Sequence, residues 1–231
     1  AIKKRIIASI TRAWLARWEI NMDVAVFKKK PILGILRGVE IGLIEPLVDT
    51  VISAGLGILE ITMNTAGAPE LIRKAKQVSG NRLILGAGTV LTLQDLKSAL
   101  QSGASFIVMP VLVKDVVKYC VKNKILVFPG ALTPQEIYQA HEAGATMVKV
   151  FPAKFFGPEY FREIRGPFEK IELLACGGVT PDNLKDYFAS GANAVSFGAS
   201  VFRKDWLVSK DFKAIGQAVK RFMDAWEEIA K

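Results

Sequence analysis

The sequence contains few of the residues from which disulfide scaffolds, metal centres and membrane spans are built. Its 231 residues include two cysteines, Cys120 and Cys176, without C-x-x-C spacing, and one histidine, His141. A chain of this length buries enough surface to fold without disulfides, and two isolated thiols without a secretory signal favour the cytoplasm. No apolar run approaches the ~20 residues of a membrane span. Because His141 lies in a predicted helix and no acidic residues cluster at strand ends, we predict neither a metal ion nor any other cofactor.

The basic charge of the chain is concentrated at its N-terminus. Residues 1–30 contain eight basic and two acidic side chains, so they carry most of the net charge of +9. Within residues 1–22, large apolar side chains recur every four positions, at Ile2, Ile6, Ile10, Trp14 and Trp18. This spacing predicts a basic amphipathic helix. Packing against the rest of the protein or another subunit is favoured over contact of residues 1–21 with nucleic acid or a membrane surface, and these residues could also be an appended, non-native segment.

From Pro31 onward, strand-like and helix-like segments alternate. The strands are predicted at residues 32–36, 58–63, 83–86, 106–109, 125–128, 146–151, 171–176 and 194–197, and the helices at 44–53, 68–78, 93–101, 114–122, 134–143, 159–165, 181–189 and 211–229. The strands are too apolar to alternate between polar and apolar residues, which is typical of parallel sheets covered on both faces. We therefore predict an α/β fold, a (β/α)₈ TIM barrel formed by residues 23–231 as a single domain, with an extra N-terminal amphipathic helix in residues 1–22. A doubly wound open sheet is the alternative, but no G-x-G-x-x-G follows the first strand.

Lys149 lies in the middle of a predicted buried strand. A buried ammonium is costly unless it is paired, and burial against apolar neighbours such as Met147 and Phe151 should lower the pKa of Lys149. The neutral amine can then attack a carbonyl carbon and form a Schiff base. The alternative is a lysine that reaches solvent at the strand end or pairs with a carboxylate.

Two further polar side chains are predicted at the carboxyl ends of strands, where barrel enzymes collect their reactive groups. Glu60 is the natural partner of Lys149, because Schiff-base chemistry and carbon–carbon cleavage both require proton transfers. The alternative is a Glu60–Lys149 ion pair without chemistry, which brings little net stability. Arg37 follows the first strand and could bind a carboxylate or a phosphate.

Glycines follow the last two strands of the predicted barrel. Gly177 and Gly178 follow the seventh strand, and Gly198 and Ser200 follow the eighth. Many barrels bind phosphate at this position through exposed backbone N–H groups, and the hydroxyl of Thr180 or Ser200 could add a donor. Ordinary turn geometry is the alternative explanation of these glycines.

Motifs at nearly every strand end closely resemble those of the 2-keto-3-deoxy-6-phosphogluconate (KDPG) aldolase family, which includes the related 6-phosphogalactonate and 4-hydroxy-2-oxoglutarate aldolases. The resemblance extends in consistent order over residues 24–229. It rests on Leu36-Arg37-Gly38, Glu60-Ile61-Thr62, Gly86-Ala87-Gly88-Thr89-Val90, Pro129-Gly130, Thr133-Pro134, Lys149 to Ala153, Phe156-Gly157-Pro158 and Gly177-Gly178-Val179.

This resemblance implies a metal-independent class I aldolase, a carbon–carbon lyase that cleaves a phosphorylated 2-keto-3-deoxy acid to pyruvate and glyceraldehyde 3-phosphate. By position, Lys149 resembles the Schiff-base lysine and Glu60 the general acid and base of the family. The family is typically a homotrimer. The remaining implied contacts are Thr89, Pro110 and Phe151 around the pyruvate moiety and Gly177, Gly178 and Gly198 around the phosphate.

The chain departs from the family pattern at three positions. Asn64 occupies the place of an arginine that binds the substrate carboxylate in many relatives, so Arg37 could take over that role. The combination of Arg37 and Asn64 resembles the phosphogalactonate branch, although the sequence leaves the gluconate and galactonate substrates both open. Cys176 replaces a threonine before the glycine pair, and Ala199 intervenes between Gly198 and Ser200.

Apolar residues at positions expected to face solvent suggest interfaces between subunits. They lie in the segments 41–44 and 111–113, each at the start of a predicted helix. A homotrimer accounts for part of this surface, and higher-order self-assembly, natural or engineered, for more. The alternative function is accordingly an aldolase-derived trimeric scaffold whose main role is assembly into a larger particle.

Overall fold

The structure is a computed structural model that describes residues 24–230. Within them the parallel strands are β1 (Ile32–Leu36), β2 (Ile58–Thr62), β3 (Ile84–Gly88), β4 (Phe106–Val108), β5 (Leu126–Phe128), β6 (Gly130–Ala131), β7 (Val148–Val150), β8 (Leu173–Cys176) and β9 (Ala194–Phe197). The α-helices are α1 (Val24–Lys29), α2 (Ile44–Ser53), α3 (Ala68–Ser79), α4 (Leu93–Ser102), α5 (Lys114–Lys122), α6 (Pro134–Glu142), α7 (Gly157–Arg165), α8 (Leu184–Ala189), α9 (Lys204–Ser209) and α10 (Phe212–Ile229).

The strands close into a barrel through Pro129, the single residue between β5 and β6. The sheet order is β5-β4-β3-β2-β1-β9-β8-β7-β6, and every pairing is parallel. The Phe128 carbonyl accepts from Met109 N on one side (3.0 Å), and the Pro129 carbonyl accepts from Lys149 N on the other (2.9 Å). β5 and β6 are therefore one strand interrupted at a proline, which has no N–H to donate. The predicted (β/α)₈ barrel is confirmed.

Three aromatic rings fill the amino-terminal half of the barrel interior. The Phe27 ring on α1 lies 5.8 Å from the Phe106 ring and 5.0 Å from the Phe128 ring, between centroids. Gly86 makes room for them, because a Cβ at that position would collide with the Phe106 ring. Because the three rings fill that half of the interior, the open space of the barrel lies at the carboxyl ends of the strands. There β2, β7 and β8 contribute Glu60, Lys149 and Cys176.

Two helices begin where the sequence predicts, and a third begins later. Thr92 and Thr133 each form a capping box at the start of α4 and α6. The helix predicted at residues 181–189 begins only at Leu184, because Thr180 and Asn183 bond to each other's backbone N–H and hold the intervening residues in a turn. No helix within residues 24–230 combines the length and apolar composition needed to cross a bilayer.

Two six-residue helices, α1 and α9, were not predicted. The predicted amphipathic helix of residues 1–22 and its boundary with the barrel domain lie outside the described residues.

Candidate active site

Lys149 is held inside the barrel by hydrogen bonds on both sides of β7. Its backbone pairs with Gly130 on β6 and with Leu174 on β8. The residue is only 6% exposed, and it lines a cavity at the carboxyl end of the barrel. Its Nζ atom lies 5.5 Å from the centroid of the Phe151 ring. A ligand in the cavity therefore meets Lys149 at its amine, as the predicted role requires.

Glu60 is a second buried ionisable side chain, and the charges of Glu60 and Lys149 shift each other's pKa. Glu60 is on β2, opposite Gly86 of β3, and is 1% exposed. A Cβ at position 88 would collide with its Oε1 atom, so Gly88 creates the space that this carboxylate occupies. Its Oε2 atom is buried and has no hydrogen-bond partner in the described part of the chain.

Burial raises the pKa of Glu60, although the positive charges of Lys149 and Arg37 act in the opposite direction. The carboxyl group is thus able to take up a proton at a higher pH than an exposed glutamate.

The net shift in the pKa of Lys149 is upward, so the predicted lowering is wrong. Burial has the largest effect and lowers the pKa, as the sequence suggested, but interactions with Cys176 and Glu60 raise it and together outweigh the lowering by burial and by Arg37. The effect of Glu60 is conditional, because it attracts the ammonium only while it is a carboxylate.

Arg37 and Thr89 form the polar wall beside Lys149. Arg37 Nη2 donates a hydrogen bond to Thr89 Oγ1 at 3.3 Å. Thr89 has a left-handed backbone with φ of 54°, which is unusual for a β-branched residue and often accompanies functional sites. The arrangement presents a guanidinium and a hydroxyl to a carboxylate bound near Lys149.

The glycine-rich edge of the cavity follows β8 and β9. Gly177 and Gly178 both have left-handed backbones, with φ of 90° and 87°, so a side chain at either position would be strained. A Cβ on Gly178 would also collide with Lys154. Gly198 and Ser200 complete this edge. Bare backbone beside a lysine is a suitable surface for a phosphate.

The cavity has a volume of about 1100 Å³, which is ample for a phosphorylated six-carbon acid. Glu60 does not line it. Asn64 does not line it either: it is exposed in the turn after β2. Nine predicted site residues do line the cavity: Arg37, Thr89, Pro110, Lys149, Phe151, Gly177, Gly178, Gly198 and Ser200.

The cavity residues that were not assigned a role from the sequence include Cys176, Lys154, Lys204 and Lys210. Cys176 was recognised only as a departure from the family pattern, and its position beside the strand of Lys149 follows from the pairing of β7 with β8. Lys154 follows the recognised Lys149 motif, which was the available signal. Lys204 and Lys210 flank α9, and without that helix nothing in the sequence placed them at the cavity.

The described residues contain no group of three or more His, Cys, Asp or Glu side chains placed to hold a metal ion.

Comparison with known proteins identifies the family. A model of the KDPG and KHG aldolases matches residues 24–218. The 2-dehydro-3-deoxy-6-phosphogalactonate aldolase of Escherichia coli K12 is 31% identical over 198 residues, which cover 85% of this chain and 97% of the relative. A solved structure described as native KDPGal superimposes with a TM-score of 0.81 at 30% identity, covering 87% of this chain and 96% of the other.

A second solved structure has the same TM-score of 0.81 and 30% identity, and covers 87% of this chain and 74% of the other. It is described as a cube-shaped, highly porous protein cage designed by fusing symmetric oligomeric domains. Barrels similar to this one therefore occur both alone and within a larger designed chain. The match over residues 24–218 and the relative's 31% identity over nearly its whole length show that the chain belongs to the KDPG and KHG aldolase family.

Proposed function

We propose that this protein is a class I aldolase that cleaves a phosphorylated 2-keto-3-deoxy acid to pyruvate and glyceraldehyde 3-phosphate, without a metal ion or other cofactor. The observation that carries the proposal is Lys149, which is buried at the carboxyl end of the barrel, lines the cavity and interacts electrostatically with the buried carboxyl group of Glu60. Membership of an aldolase family supports the same reaction type.

The mechanism begins with transfer of a proton from the Lys149 ammonium to Glu60, whose raised pKa suits it to accept one. The free amine attacks the C2 carbonyl of the substrate, and Glu60 gives back its proton as water leaves, so a protonated imine forms. The C3–C4 bond then breaks, its electron pair moves into the imine and the C4 hydroxyl proton passes to the Glu60 carboxylate, so glyceraldehyde 3-phosphate leaves. Glu60 gives this proton to C3 of the enamine, and hydrolysis of the imine releases pyruvate.

The polar groups around Lys149 assign an orientation to the substrate. Arg37 and Thr89 are placed to bind the carboxylate next to C2, and Pro110 and Phe151 enclose the apolar part of the pyruvate moiety. The phosphate lies against Gly177, Gly178, Gly198 and Ser200, with Lys154 as the nearest additional cation. Asn64 takes no part in this arrangement.

Turnover rates distinguish the branches of the family. They are measured on the 2-keto-3-deoxy acids derived from 6-phosphogluconate and from 6-phosphogalactonate, each with and without the phosphate. We expect phosphorylated substrates to be preferred and favour the galactonate series, which the E. coli relative's name supports. Comparable rates on 4-hydroxy-2-oxoglutarate would contradict a phosphate-selective site.

The Schiff base is tested by borohydride reduction in the presence of pyruvate. One reduced pyruvyl group per chain should be added, and peptide mass analysis should place it on Lys149. Lys149→Ala should lose both the adduct and the activity. The matched control is Lys154→Ala, since this lysine also lines the cavity but is not the proposed nucleophile.

Two results of that experiment would contradict the mechanism. One is a pyruvyl group on a lysine other than Lys149. The other is activity that survives Lys149→Ala and disappears on addition of a metal chelator.

We also propose that the protein acts in the cytoplasm as a homotrimer. Both described cysteines are free thiols, as expected in a reducing compartment. Exposed apolar residues support subunit contacts, among them Ile41 (46% exposed), Val111 (54%) and Phe155 (69%). Light scattering should give a mass near three times 25.3 kDa, whereas a much larger closed particle would favour the scaffold function.

Residues 1–21 are proposed to contribute to protein contacts and not to bind RNA or lipid. Their removal should leave aldol cleavage intact. If it abolished a salt-sensitive association with RNA or anionic vesicles, the basic helix would instead be an attachment element.

A further inference from the structure

The two cysteines of the chain occupy chemically different environments. Cys120 lies on α5, is fully buried and does not line the cavity, and burial raises the pKa of its thiol to about 12. Cys176 is the last residue of β8 and lines the cavity together with Lys149 on the neighbouring strand β7. The aldol mechanism described above uses no thiol. Cys176 is therefore a thiol that shares the cavity with the reactive amine and has no assigned role.

We propose that Cys176 and Lys149 form a thiol–amine pair that hydrogen peroxide converts into a covalent sulfur–nitrogen cross-link, a modification site within the active-site cavity. Three features of the structure favour this reaction. Both side chains line the same cavity, and the cavity admits molecules far larger than peroxide. Parallel pairing of Lys149 with Leu174 and of Val150 with Ala175 fixes the two strands and puts Cys176, two residues beyond Leu174, on the same face of the sheet as Lys149. The buried Glu60 carboxyl group, whose Oε2 has no hydrogen-bond partner in the described part of the chain, can accept a proton from the ammonium.

The reaction proceeds in two balanced steps. In the first, the Cys176 sulfur attacks one oxygen of peroxide, a sulfur–oxygen bond forms, the oxygen–oxygen bond breaks and the departing hydroxide leaves as water with the thiol proton. The thiol is oxidised by two electrons to a sulfenic acid, and peroxide is reduced. In the second, the neutral Lys149 amine attacks sulfur, a nitrogen–sulfur bond forms, and the sulfur–oxygen bond breaks as hydroxide leaves as water with an amine proton.

The cross-link removes the amine from the aldol reaction. It also protects Cys176 from irreversible oxidation to the sulfinic acid. An added thiol can attack the sulfur, break the nitrogen–sulfur bond and, with a second thiol, regenerate both side chains. Peroxide inactivation should accordingly be reversible by dithiothreitol.

The experiment treats the full chain with hydrogen peroxide and analyses it without reductant. The intact protein should lose the mass of two hydrogens, and digestion should yield a peptide containing Lys149 joined to a peptide containing Cys176. Dithiothreitol should restore the original mass and most of the initial activity. In Lys149→Ala the sulfenic acid of Cys176 should instead persist and be captured by dimedone.

Cys120→Ser is the matched control for Cys176→Ser, because these are the two cysteines of the chain. Cys120→Ser should form the cross-link as the unaltered protein does, and Cys176→Ser should not. Each variant's activity is compared with its own untreated sample, so any effect of the substitution on turnover cancels.

Two outcomes would overturn the proposal: oxidation of Cys176 to a sulfenic or sulfinic acid with Lys149 unmodified, or a cross-link that persists in Cys176→Ser. Only the expected loss of activity rests on the proposed aldolase function. A protein that cross-links but cleaves no aldol substrate would contradict that function alone, and an active aldolase that does not cross-link would contradict this inference alone.

Discussion

Glu60 combines deep burial with an electrostatic interaction with Lys149. Its pKa is raised from the ordinary value of 4.5, chiefly by burial. In the proposed mechanism the carboxylate form accepts the proton of Lys149. Activity should therefore be complete above the raised pKa and fall as the pH drops through it, so the decline should begin at a higher pH than an exposed glutamate would give.

This prediction is checked by measuring kcat/KM across the acid and neutral range. Glu60→Gln should lower turnover and remove the acid decline, while Glu40→Gln, at the exposed rim of the cavity, should keep it. An acid decline that is identical in the Glu60→Gln protein would assign the titration to another group.

Gly86 should be intolerant of even one added methyl group. A Cβ there would collide with the Phe106 ring, which is itself packed against two other rings. Overpacking of this kind costs about 1–3 kcal/mol. Gly86→Ala should lower the urea midpoint accordingly, whereas Gly42→Ala, where the new methyl group would meet nothing within 4 Å, should leave it nearly unchanged. Equal midpoints for the two variants would mean that the three rings can rearrange to admit the methyl group.

The sequence predicted most of the individual site residues but not their electrostatics. Lys149 and the glycines could be recognised from local motifs, because each motif is contiguous. The direction of the shift in the pKa of Lys149 could not be predicted, because it depends on Glu60 and Cys176, which are distant in the sequence and act on Lys149 only in the folded barrel. The position of Asn64 could not be predicted either, because β2 ends at Thr62 and the alternation of side chains along a strand does not extend into the turn that follows.

At the level of secondary structure, α1 should stabilise the barrel through one buried ring and hardly through its ion pair. Phe27 is fully buried between Phe106 and Phe128. Removal of such a ring costs about 3–5 kcal/mol through lost burial and the resulting cavity. Lys28, the next residue, pairs with Glu172 at 2.6 Å, but the two side chains are 45% and 29% exposed, and such pairs contribute less than about 1 kcal/mol.

Phe27→Ala should consequently lower the free energy of unfolding several times more than Lys28→Ala, as measured by urea denaturation. The two changes lie on the same short helix, so a general loss of α1 would affect them equally. If they were equally destabilising, the contribution of α1 would come from the helix as a whole and not from the ring.

Long, strongly patterned elements were predictable and short ones were not. The strands and the longer helices were predicted to within a few residues, because their apolar runs and periodic faces are distinctive. α1 and α9 have six residues each, too few for a helical period to be visible, and they are stabilised by contacts with the barrel. The late start of α8 has a different cause. Thr180 and Asn183 form reciprocal side-chain-to-backbone hydrogen bonds, and this pattern resembles a helix cap although the helix begins three residues later than predicted.

For the whole molecule, the cavity entrance has a strong excess of positive charge. The lining residues include five basic side chains, at Arg37, Lys149, Lys154, Lys204 and Lys210, against one acidic side chain, Glu40. A concave surface lined by one sign of charge concentrates ligands of the opposite sign and raises their association rate. The proposed substrate carries both a carboxylate and a phosphate, so the entrance should favour its capture, and salt should weaken that effect.

Reversing two of these charges should therefore reduce kcat/KM, by about tenfold at low ionic strength, mainly through KM. The test variant combines Lys204→Glu with Lys210→Glu, and the control combines Lys118→Glu with Lys213→Glu, which alters the net charge equally at exposed positions that do not line this cavity. The test variant should also show a weaker dependence of kcat/KM on salt than the unaltered protein. If both double variants lost the same activity, net charge alone would explain the effect. If neither did, capture of the substrate would depend on the glycine-rich edge and Arg37, and the lysines around α9 would be ordinary surface charges.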